Sequence, residues 1–366
     1  MDLTIPESTT QVAADGRRNL KDLTPQGMEA WLAEQGEPAF RRRQIFQWLY
    51  QRRVKDFDAM TDVSKGLRTK LAEHFHLGWM ECESAHSSKD GSTKYIFAMG
   101  DGRRVETVLM PNNTHYTLCV STQVGCAMGC AFCMTGRMGL VRNLSAGEIV
   151  QQVVGSYADV PEGNIIRNIV FMGMGEPLHN YDNLVSALRI LSDDYGFGFS
   201  WRRLTVSTSG LVPALKRFGQ EDIRANMAIS LNGVTDEMRT KVMPVNKRWN
   251  LAALLDACRS FPMENRERIT FEYVLLKGVT DELASAKKLV KLLHGIKCKV
   301  NLIPFNPWPG SPFDGPTMAH ARAFQEVLHS KGVIATLRIS KGQDIQAACG
   351  QLITEKPTRP AAVAAG

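Results

Sequence analysis

The sequence predicts an α/β protein: a partial, open parallel α/β barrel preceded by a small helical N-terminal domain and a β-hairpin linker. From about residue 115 onward, strand patterns alternate with helical patterns, which is typical of a parallel sheet with crossover helices. Before residue 80, apolar residues recur instead at helical spacing. The 366 residues are 44% hydrophobic, which is enough material for one large domain and a smaller one.

The N-terminal domain is predicted over residues 1–80, because three segments in it have the spacing of helices. These segments are 27–35, 41–53 and 64–75. Residues 1 to about 20 lack apolar periodicity, so we expect them to be frayed.

A strand-rich linker is predicted over residues 81–114. Two strand patterns, at 94–99 and 104–110, are separated by the turn Gly100-Asp101-Gly102, which indicates a β-hairpin. This hairpin leads directly into the barrel.

The partial barrel is predicted over residues 115–345. Its six strand patterns lie at 117–121, 168–172, 203–207, 226–231, 268–276 and 299–303. Its helical patterns lie at 146–157, 183–191, 213–218, 251–261, 281–294 and 319–329. A further strand is expected at 333–339, and residues 346–366 form a C-terminal segment whose Pro- and Ala-rich tail, from Lys356 onward, we expect to be disordered.

Small polar residues and glycines follow several of the predicted strands. They lie at 173–177, 207–210, 230–233 and 304–307. Each segment alone is ordinary turn chemistry. Because the carboxyl ends of parallel strands meet on one rim, the four together predict a site for a polar, nucleoside-sized ligand.

Three cysteines lie within eight residues, directly after the first barrel strand: Cys126, Cys130 and Cys133. Iron-sulfur clusters are normally held by four thiolates, so three thiolates leave one iron open for a small molecule. The alternatives are a structural zinc site, which usually takes four protein ligands, and buried free thiols. The spacing favours a metal centre with an open position. The remaining Cys82, Cys258 and Cys298 have no partner spacing, and we expect them to be structural.

The chain is basic, with a formal net charge of +7, which suits a polyanionic partner. Residues 41–55 contain six basic residues and no acidic one, interleaved with Phe46, Trp48 and Tyr50. Such a segment offers phosphate contacts and stacking surfaces; the alternative is a solvated helix whose aromatic side chains belong to the core. There is no run of about 18 apolar residues and no signal-peptide pattern, so we expect a cytoplasmic protein without membrane insertion.

The cysteine spacing resembles that of the radical S-adenosylmethionine (SAM) superfamily. Residues 173–177, Gly-Met-Gly-Glu-Pro, resemble its amine-contacting motif, with Met174 between the glycines. Together with residues 118–125 before the cysteines and 347–352, Ala-Ala-Cys-Gly-Gln-Leu, the chain resembles the RlmN/Cfr family of RNA adenine methyltransferases.

The resemblance implies a 4Fe-4S cluster on Cys126, Cys130 and Cys133, and two SAM molecules per turnover. The positions that match the family's SAM contacts are Gly175, Glu176, Ser207, Ser230, Leu231, Asn232 and Asn306. Cys349 matches the family's cysteine that carries the methyl group. Cys119 matches the cysteine that resolves the protein–RNA adduct by forming a transient disulfide with Cys349. Glu106 matches the acidic residue that is assigned as proton acceptor. Without the resemblance, Glu106 is predicted to be an exposed strand residue, and Cys119 and Cys349 to be buried thiols.

The resemblance also implies the partners. They are 23S rRNA, in its peptidyl transferase region, tRNA next to the anticodon, and an electron donor such as flavodoxin; the protein is expected to be a monomer, with residues 1–80 as an accessory RNA-binding domain. Methylation of adenine carbon 2 is favoured, with Cfr-type methylation of carbon 8 as the alternative. A methylthiotransferase would need a second cysteine triplet, which the sequence lacks. A noncatalytic RNA-binding protein with a structural metal is the alternative outside enzymes.

Overall fold

A computed structural model describes residues 15–354 of the chain. Its strands are β1 (Arg18–Asn19), β2 (Phe75–His76), β3 (Glu81–Ser87), β4 (Thr93–Ala98), β5 (Arg104–Asn112), β6 (His115–Cys119), β7 (Gln123–Cys126), β8 (Gly139–Asn143), β9 (Ile166–Phe171), β10 (Leu204–Thr208), β11 (Asn226–Ser230), β12 (Ile269–Leu275), β13 (Cys298–Pro304) and β14 (Ala335–Leu337). Its α-helices are α1 (Pro25–Glu34), α2 (Arg41–Phe46), α3 (Lys65–His74), α4 (Met134–Met138), α5 (Ala146–Ser156), α6 (Tyr181–Ser192), α7 (Val212–Phe218), α8 (Asp236–Val242), α9 (Leu251–Ser260), α10 (Leu283–Leu292) and α11 (Met318–His329).

The N-terminal part contains the three predicted helices. The segment predicted as one helix at 41–53 is α2 followed by a π-helical stretch, Gln47–Gln51. Its aromatic side chains, Phe46, Trp48 and Tyr50, are all buried, so the prediction that they offer stacking surfaces is wrong and the core interpretation is confirmed.

The fraying predicted for the N-terminus is wrong from residue 15 onward. β1 pairs in parallel with β2, and the neighbouring Leu20 is fully buried. The rest of that prediction, for residues 1–14, and the prediction of a disordered tail from Lys356 lie outside the described residues.

A ten-stranded sheet forms the centre of the molecule, in the order β14-β13-β12-β11-β10-β9-β6-β5-β4-β3. The seven strands from β6 to β14 are parallel, which confirms the six predicted barrel strands and the further strand. The sheet is open, because β14 and β3 stand at its two ends. The predicted hairpin is β4 and β5, and with β3 it continues the barrel sheet in antiparallel pairing.

The central parallel strand β12 is buried on both faces, as expected where helices cover the outside of a partial barrel. All seven residues of β12 are buried. Several helices begin at polar caps, for example Ser145, which forms a reciprocal capping box with Glu148 at the start of α5. None of the helices between residues 15 and 354 combines the length and the apolar character that crossing a membrane requires.

Candidate active site

A single cavity at the carboxyl ends of the parallel strands collects most of the predicted site residues. Ten of the thirteen line it: Cys126, Cys130, Cys133, Gly175, Glu176, Ser207, Ser230, Asn232, Asn306 and Cys349. We call it the cluster cavity. The three that do not line it are Glu106, Cys119 and Leu231.

The cysteine loop is folded by close backbone contacts. Gly125 has φ +75°, and a Cβ there would lie 1.8 Å from the Gly139 carbonyl oxygen, so only glycine fits where β7 pairs with β8. The Ala131 N–H donates to the Val242 carbonyl at 2.9 Å, and the Cys133 N–H donates to the Cys130 carbonyl at 3.1 Å. These contacts turn all three cysteines toward one cavity.

The donor set fits an iron-sulfur cluster. Burial is the main cause that raises the pKa of the Cys126, Cys130 and Cys133 thiols, and the neighbouring cysteines add to it. A bound cation reverses that preference and deprotonates a thiol. Between residues 15 and 354 no three metal-ligating side chains converge on one ion. A cluster does not need them to, because each thiolate binds a different iron.

The glycine-rich turn after β9 brings a carboxylate to the cavity. Glu176 is buried, and burial raises its pKa. Its carboxylate accepts hydrogen bonds from the backbone N–H groups of Ser209, at 2.7 Å, and Leu178, at 3.2 Å. Its own N–H donates to Gln123 Oε1 at 2.8 Å, so the carboxylate is held in one position where it could accept from an ammonium group.

The remaining predicted SAM contacts come from strand ends. Asn232 has φ +50°, and its Oδ1 accepts from the Val274 N–H at 2.8 Å. Asn306 Nδ2 donates to Ser340 Oγ at 2.7 Å. Leu231 is fully buried and does not line the cavity, so the structure leaves it no side-chain contact with a ligand there.

Arg239, on α8, fixes the strand ends, and sequence reasoning missed it. Its guanidinium is fully buried and donates to the carbonyls of Leu231, at 2.9 Å, and Ser209, at 2.6 Å. It also donates to Asn246 Oδ1 at 3.0 Å. No sequence signal points to this role, because Arg239 lies in a short helix with charged neighbours that is typical of a surface.

A second cavity contains the two outer cysteines. Cys119 and Cys349 both line it, and we call it the thiol cavity. Four residues line both cavities: Met172, Arg338, Cys349 and Leu352. Burial is the main cause that raises the pKa of Cys119 to about 12, with Cys349 adding to the effect and Arg338 opposing it. Cys349 therefore stands between the predicted cluster and Cys119.

The C-terminal segment that carries Cys349 is tied to the cysteine loop. The Met134 N–H donates to the Gly350 carbonyl at 2.8 Å, and Thr135 Oγ1 donates to the Leu352 carbonyl at 2.6 Å. These bonds join parts of the chain more than two hundred residues apart.

Glu106 has a buried carboxylate whose oxygens both have partners, which is not expected of a free proton acceptor. It is 2% exposed, so the prediction of an exposed strand residue is wrong. Oε1 pairs with Lys94 Nζ at 2.9 Å, and Oε2 accepts from the Ile353 N–H at 2.8 Å. Burial raises its pKa, against the opposing charge of Lys94. The structure places Glu106 under the C-terminal segment and not on the wall of either cavity.

Two further charged side chains line the cluster cavity, and sequence reasoning did not single them out: Glu272 and Arg338. Glu272 is 5% exposed; Oε1 accepts from Asn301 Nδ2 at 2.9 Å, and Oε2 has no hydrogen-bond partner. The sequence signal that could have identified Glu272 is that it is the one charged residue in the apolar strand β12. No sequence signal of this kind identifies Arg338, because it follows a strand, β14, of only three residues.

Two of the six basic side chains of the segment are held in ion pairs. Arg42 is paired with Glu29, at 2.8 Å, and with Asp193. Arg41 pairs with Glu37 at 3.7 Å. The remaining four we call the basic patch: Arg43, Arg52, Arg53 and Lys55. Their cationic groups lie over aromatic rings, for example Lys55 Nζ at 4.6 Å from the ring centre of Trp79.

The three cysteines predicted to be structural lie away from the site. Cys258 is buried and Cys298 half-buried, whereas Cys82 is exposed, with Sγ 3.6 Å from the Ser84 carbonyl. None of the three lines the cluster cavity or the thiol cavity.

The chain is similar to known proteins over most of its length. Residues 18–77 match the model of the ribosomal RNA large subunit methyltransferase N-terminal domain, and residues 120–290 match that of the radical SAM superfamily. The chain is 50% identical over 339 residues to a dual-specificity RNA methyltransferase RlmN from Syntrophotalea carbinolica, covering 92% of this chain and 90% of that one. It is 48% identical to the RlmN of Campylobacter jejuni, covering 91% and 97%.

A solved structure matches as well. A radical SAM methyltransferase from Sphaerobacter thermophilus superimposes with a TM-score of 0.85 and 45% identity, covering 91% of this chain and 98% of that one. The similarity thus includes both the N-terminal part and the barrel. The chain belongs to the RlmN family within the radical SAM superfamily.

Proposed function

We propose that the chain is a SAM-dependent RNA methyltransferase that methylates carbon 2 of an adenine in 23S rRNA and in tRNA, through a methylcysteine and a transient disulfide. The observation that carries the proposal is the position of Cys349, which lines both the cluster cavity and the thiol cavity that contains Cys119. The relatives named as dual-specificity RlmN enzymes support carbon 2 over carbon 8.

The target atom explains why two cysteines are needed. Adenine carbon 2 lies between two ring nitrogens and is electron-poor, so it does not attack the electrophilic methyl group of SAM. The difficult step therefore falls to the cofactor, and the protein positions the groups that react.

The residues of the cluster cavity have distinct roles in this proposal. Cys126, Cys130 and Cys133 would hold a 4Fe-4S cluster, which when bound supplies the electron that cleaves SAM and yields a radical. Glu176 accepts hydrogen bonds from the SAM ammonium group. The strand-end residues Gly175, Ser207, Ser230, Leu231, Asn232 and Asn306 surround the rest of SAM, with Leu231 contributing through its backbone.

Cys349 carries the methyl group. Its thiolate displaces S-adenosylhomocysteine from one SAM, so that an S–CH3 bond forms. A hydrogen atom is removed from that methyl group when the second SAM is consumed, and the carbon radical adds to carbon 2 of the adenine. That adduct is a radical and still carries the hydrogen of carbon 2. One electron returns to the cluster, which was oxidised when it supplied the electron for SAM cleavage, and the carbon-2 hydrogen leaves as a proton, which is the proton assigned to Glu106. The result is a closed-shell covalent link from Cys349 to the RNA.

Cys119 releases the product. Its thiolate attacks the sulfur of Cys349, the S–S bond forms and the S–C bond breaks. The electron pair stays on the methylene carbon, which takes up a proton and completes the methyl group. Glu106 is the proposed proton acceptor of the reaction, and its bonds to Lys94 and Ile353 mean that the C-terminal segment has to shift before it can reach the base.

RNA binding is assigned to the N-terminal domain, with the basic patch as its phosphate-binding surface. We expect the triple variant Arg43→Gln/Arg52→Gln/Lys55→Gln to bind RNA more weakly, with the slope of log Kd against log salt reduced by about one for each phosphate that is no longer neutralised. A matched triple of exposed residues on α10 and α11, Lys287→Gln/Lys288→Gln/Arg322→Gln, controls for net charge. An equal change in both variants would remove the N-terminal domain from the account.

The wider setting is also part of the proposal. The enzyme acts in the cytoplasm, where rRNA and tRNA are found, as a monomer that receives electrons from a donor such as flavodoxin. Two SAM molecules are consumed per turnover, because one supplies the methyl group and the other the radical.

The proposal is tested by anaerobic reconstitution with iron and sulfide. We expect a brown protein that converts SAM to 5′-deoxyadenosine, and nucleoside mass spectrometry with authentic standards should find 2-methyladenosine in the RNA. Finding 8-methyladenosine would favour the Cfr-type activity. A colourless zinc protein that does not cleave SAM would refute the enzyme and leave a noncatalytic RNA-binding protein.

A further inference from the structure

Arg338 stands where the two cavities meet. It lines both the cluster cavity and the thiol cavity, together with Cys349. Among residues 15–354 it is the only cationic side chain on the wall of the cluster cavity. Its backbone N–H donates to the Leu302 carbonyl at 2.8 Å, which fixes the residue beside β13.

The hydrogen-bonding capacity of its guanidinium is almost unused. A guanidinium has five N–H donors in a fixed plane. In the described part of the chain, its side-chain contact is from Nη1 to the thioether sulfur of Met172, at 3.6 Å. Glu272 faces the same cavity and its charge attracts that of Arg338. Among the described residues, however, the hydrogen bond that its carboxylate accepts comes from Asn301, and Oε2 has no hydrogen-bond partner.

Such a group is costly unless something binds it. A guanidinium is always charged, and a partly buried charge without hydrogen bonds is destabilising. The charge that Cys349 carries as a thiolate is the main cause that raises the pKa of Arg338, followed among the favourable ones by Glu272. The open donors therefore face the space in which the proposed reaction takes place.

The chemistry of SAM and of the target adenine indicates which of them accepts hydrogen bonds from Arg338. SAM carries a positive sulfonium, which does not suit a guanidinium; its amino group is assigned to Glu176, and its carboxylate to the iron that the three cysteines leave open. The target adenine presents ring nitrogens N1 and N3 on either side of carbon 2, and both are acceptors. A guanidinium beside Cys349 is placed to donate to one of them when carbon 2 approaches the methylene carbon.

We propose that Arg338 is a catalytic residue that donates a hydrogen bond to a ring nitrogen flanking carbon 2 of the target adenine. This contact orients carbon 2 toward Cys349. It also withdraws electron density from the ring, so that the ring accepts the incoming carbon radical more readily; preorganised donors of this kind act most strongly where charge develops. The inference rests on the proposed function.

The experiment uses the reconstituted Cys119→Ala protein, in which the Cys349–RNA adduct cannot be resolved. Arg338→Gln and Arg338→Lys are compared with Arg322→Gln, which removes an exposed arginine on α11. Three quantities are measured by mass spectrometry in one turnover: methyl on Cys349, 5′-deoxyadenosine and the RNA adduct. Iron content and thermal unfolding confirm that each variant is folded and loaded.

We expect Arg338→Gln to form the adduct about 100- to 1,000-fold more slowly, the range measured for loss of one preorganised donor, with methyl on Cys349 unchanged. Arg338→Lys should recover part of that rate, and Arg322→Gln should behave as the parent. If methylation of Cys349 falls as much as adduct formation, Arg338 acts on the Cys349 thiolate and the inference is overturned. An unchanged rate of adduct formation would also overturn it. A parent protein that forms no methylcysteine refutes the proposed function itself, and the inference with it.

Deaza nucleosides test the contact directly. An RNA with 1-deazaadenosine or 3-deazaadenosine at the target position lacks one of the two flanking nitrogens. With Arg338 present, one of these substitutions should slow adduct formation, whereas the Arg338→Gln variant should not distinguish that RNA from the unmodified one. The same penalty in both proteins would contradict a hydrogen bond from Arg338.

Discussion

Replacing Gly175 by alanine tests whether the turn after β9 is built to hold a ligand close to the backbone. Gly175 has φ +107°, and an added Cβ would lie 2.7 Å from Gln123 Cβ and 2.8 Å from Thr122 Oγ1. A positive φ costs an alanine about 1–2 kcal/mol, and overpacking against a fixed neighbour costs about 1–3 kcal/mol. The variant should therefore lose about 2–5 kcal/mol of its free energy of unfolding.

This loss can be measured as a melting temperature. Unfolding of about 340 residues has an entropy of about 0.7 kcal/mol/K, so we expect the apparent Tm to fall by about 3–7 °C. Because the Glu176 N–H is anchored on Gln123, the carboxylate should move with the turn. SAM binding, measured by calorimetry on the reconstituted protein, should weaken by at least about tenfold, which corresponds to about 1.4 kcal/mol.

A second glycine separates backbone strain from crowding. Gly163 has φ +83° and no atom within 4 Å of an added Cβ, so Gly163→Ala should show the strain alone and leave SAM binding unchanged. Equal losses of Tm in the two variants, with unchanged SAM binding in both, would refute the assignment of Gly175 to the site.

Three more changes test single features. Arg239→Met removes the donors that hold the strand ends, and each buried acceptor left without a partner costs about 1–3 kcal/mol. The urea midpoint of unfolding should therefore fall and SAM binding should weaken. Unchanged SAM binding would contradict the positioning role of Arg239. Burial lowers the pKa of Lys21 from 10.5 to about 7, so the unfolded chain binds a proton that the folded chain lacks between these values, and wild-type stability rises with pH there. The free energy of unfolding of Lys21→Met, relative to the wild type, should accordingly be highest below pH 7 and should fall by pH 9. A difference in stability that does not change with pH would contradict the lowered pKa. Glu106→Gln removes the carboxylate that pairs with Lys94 and leaves its ammonium group only the Gln346 carbonyl; losing one charge of a buried pair costs about 3 kcal/mol. Hydrogen exchange should therefore become faster at residues 346–354, and the double variant with Lys94→Met should recover part of the protection. Unchanged exchange would show that Glu106 does not hold the segment.

The sequence predicts the architecture because its signals are local. The alternation of strands and helices gives all six barrel strands and the further strand, and the turn at 100–102 gives the hairpin. The cysteine triplet and the polar strand ends are likewise short patterns, and the parallel arrangement brings most of them to one cavity.

What the sequence leaves out depends on contacts between distant parts of the chain. Glu106 resembles an exposed strand residue until Ile353, 247 residues later, covers it. The register of β12 and β13 places Glu272 beside Asn301 and turns it toward the cavity. The aromatic residues of the basic segment could face either way, and packing inside the N-terminal domain buries them. Pairing and register of this kind cannot be read from spacing alone.

The most direct test of the account is mass spectrometry of a Cys119→Ala variant purified from cells. If Cys349 carries the methyl group and Cys119 resolves the adduct across the thiol cavity, the peptide that contains Cys349 should carry a covalently bound nucleotide after nuclease and protease digestion. The wild-type protein should show little of it. An unmodified Cys349 peptide in the variant would contradict the roles assigned to both cysteines.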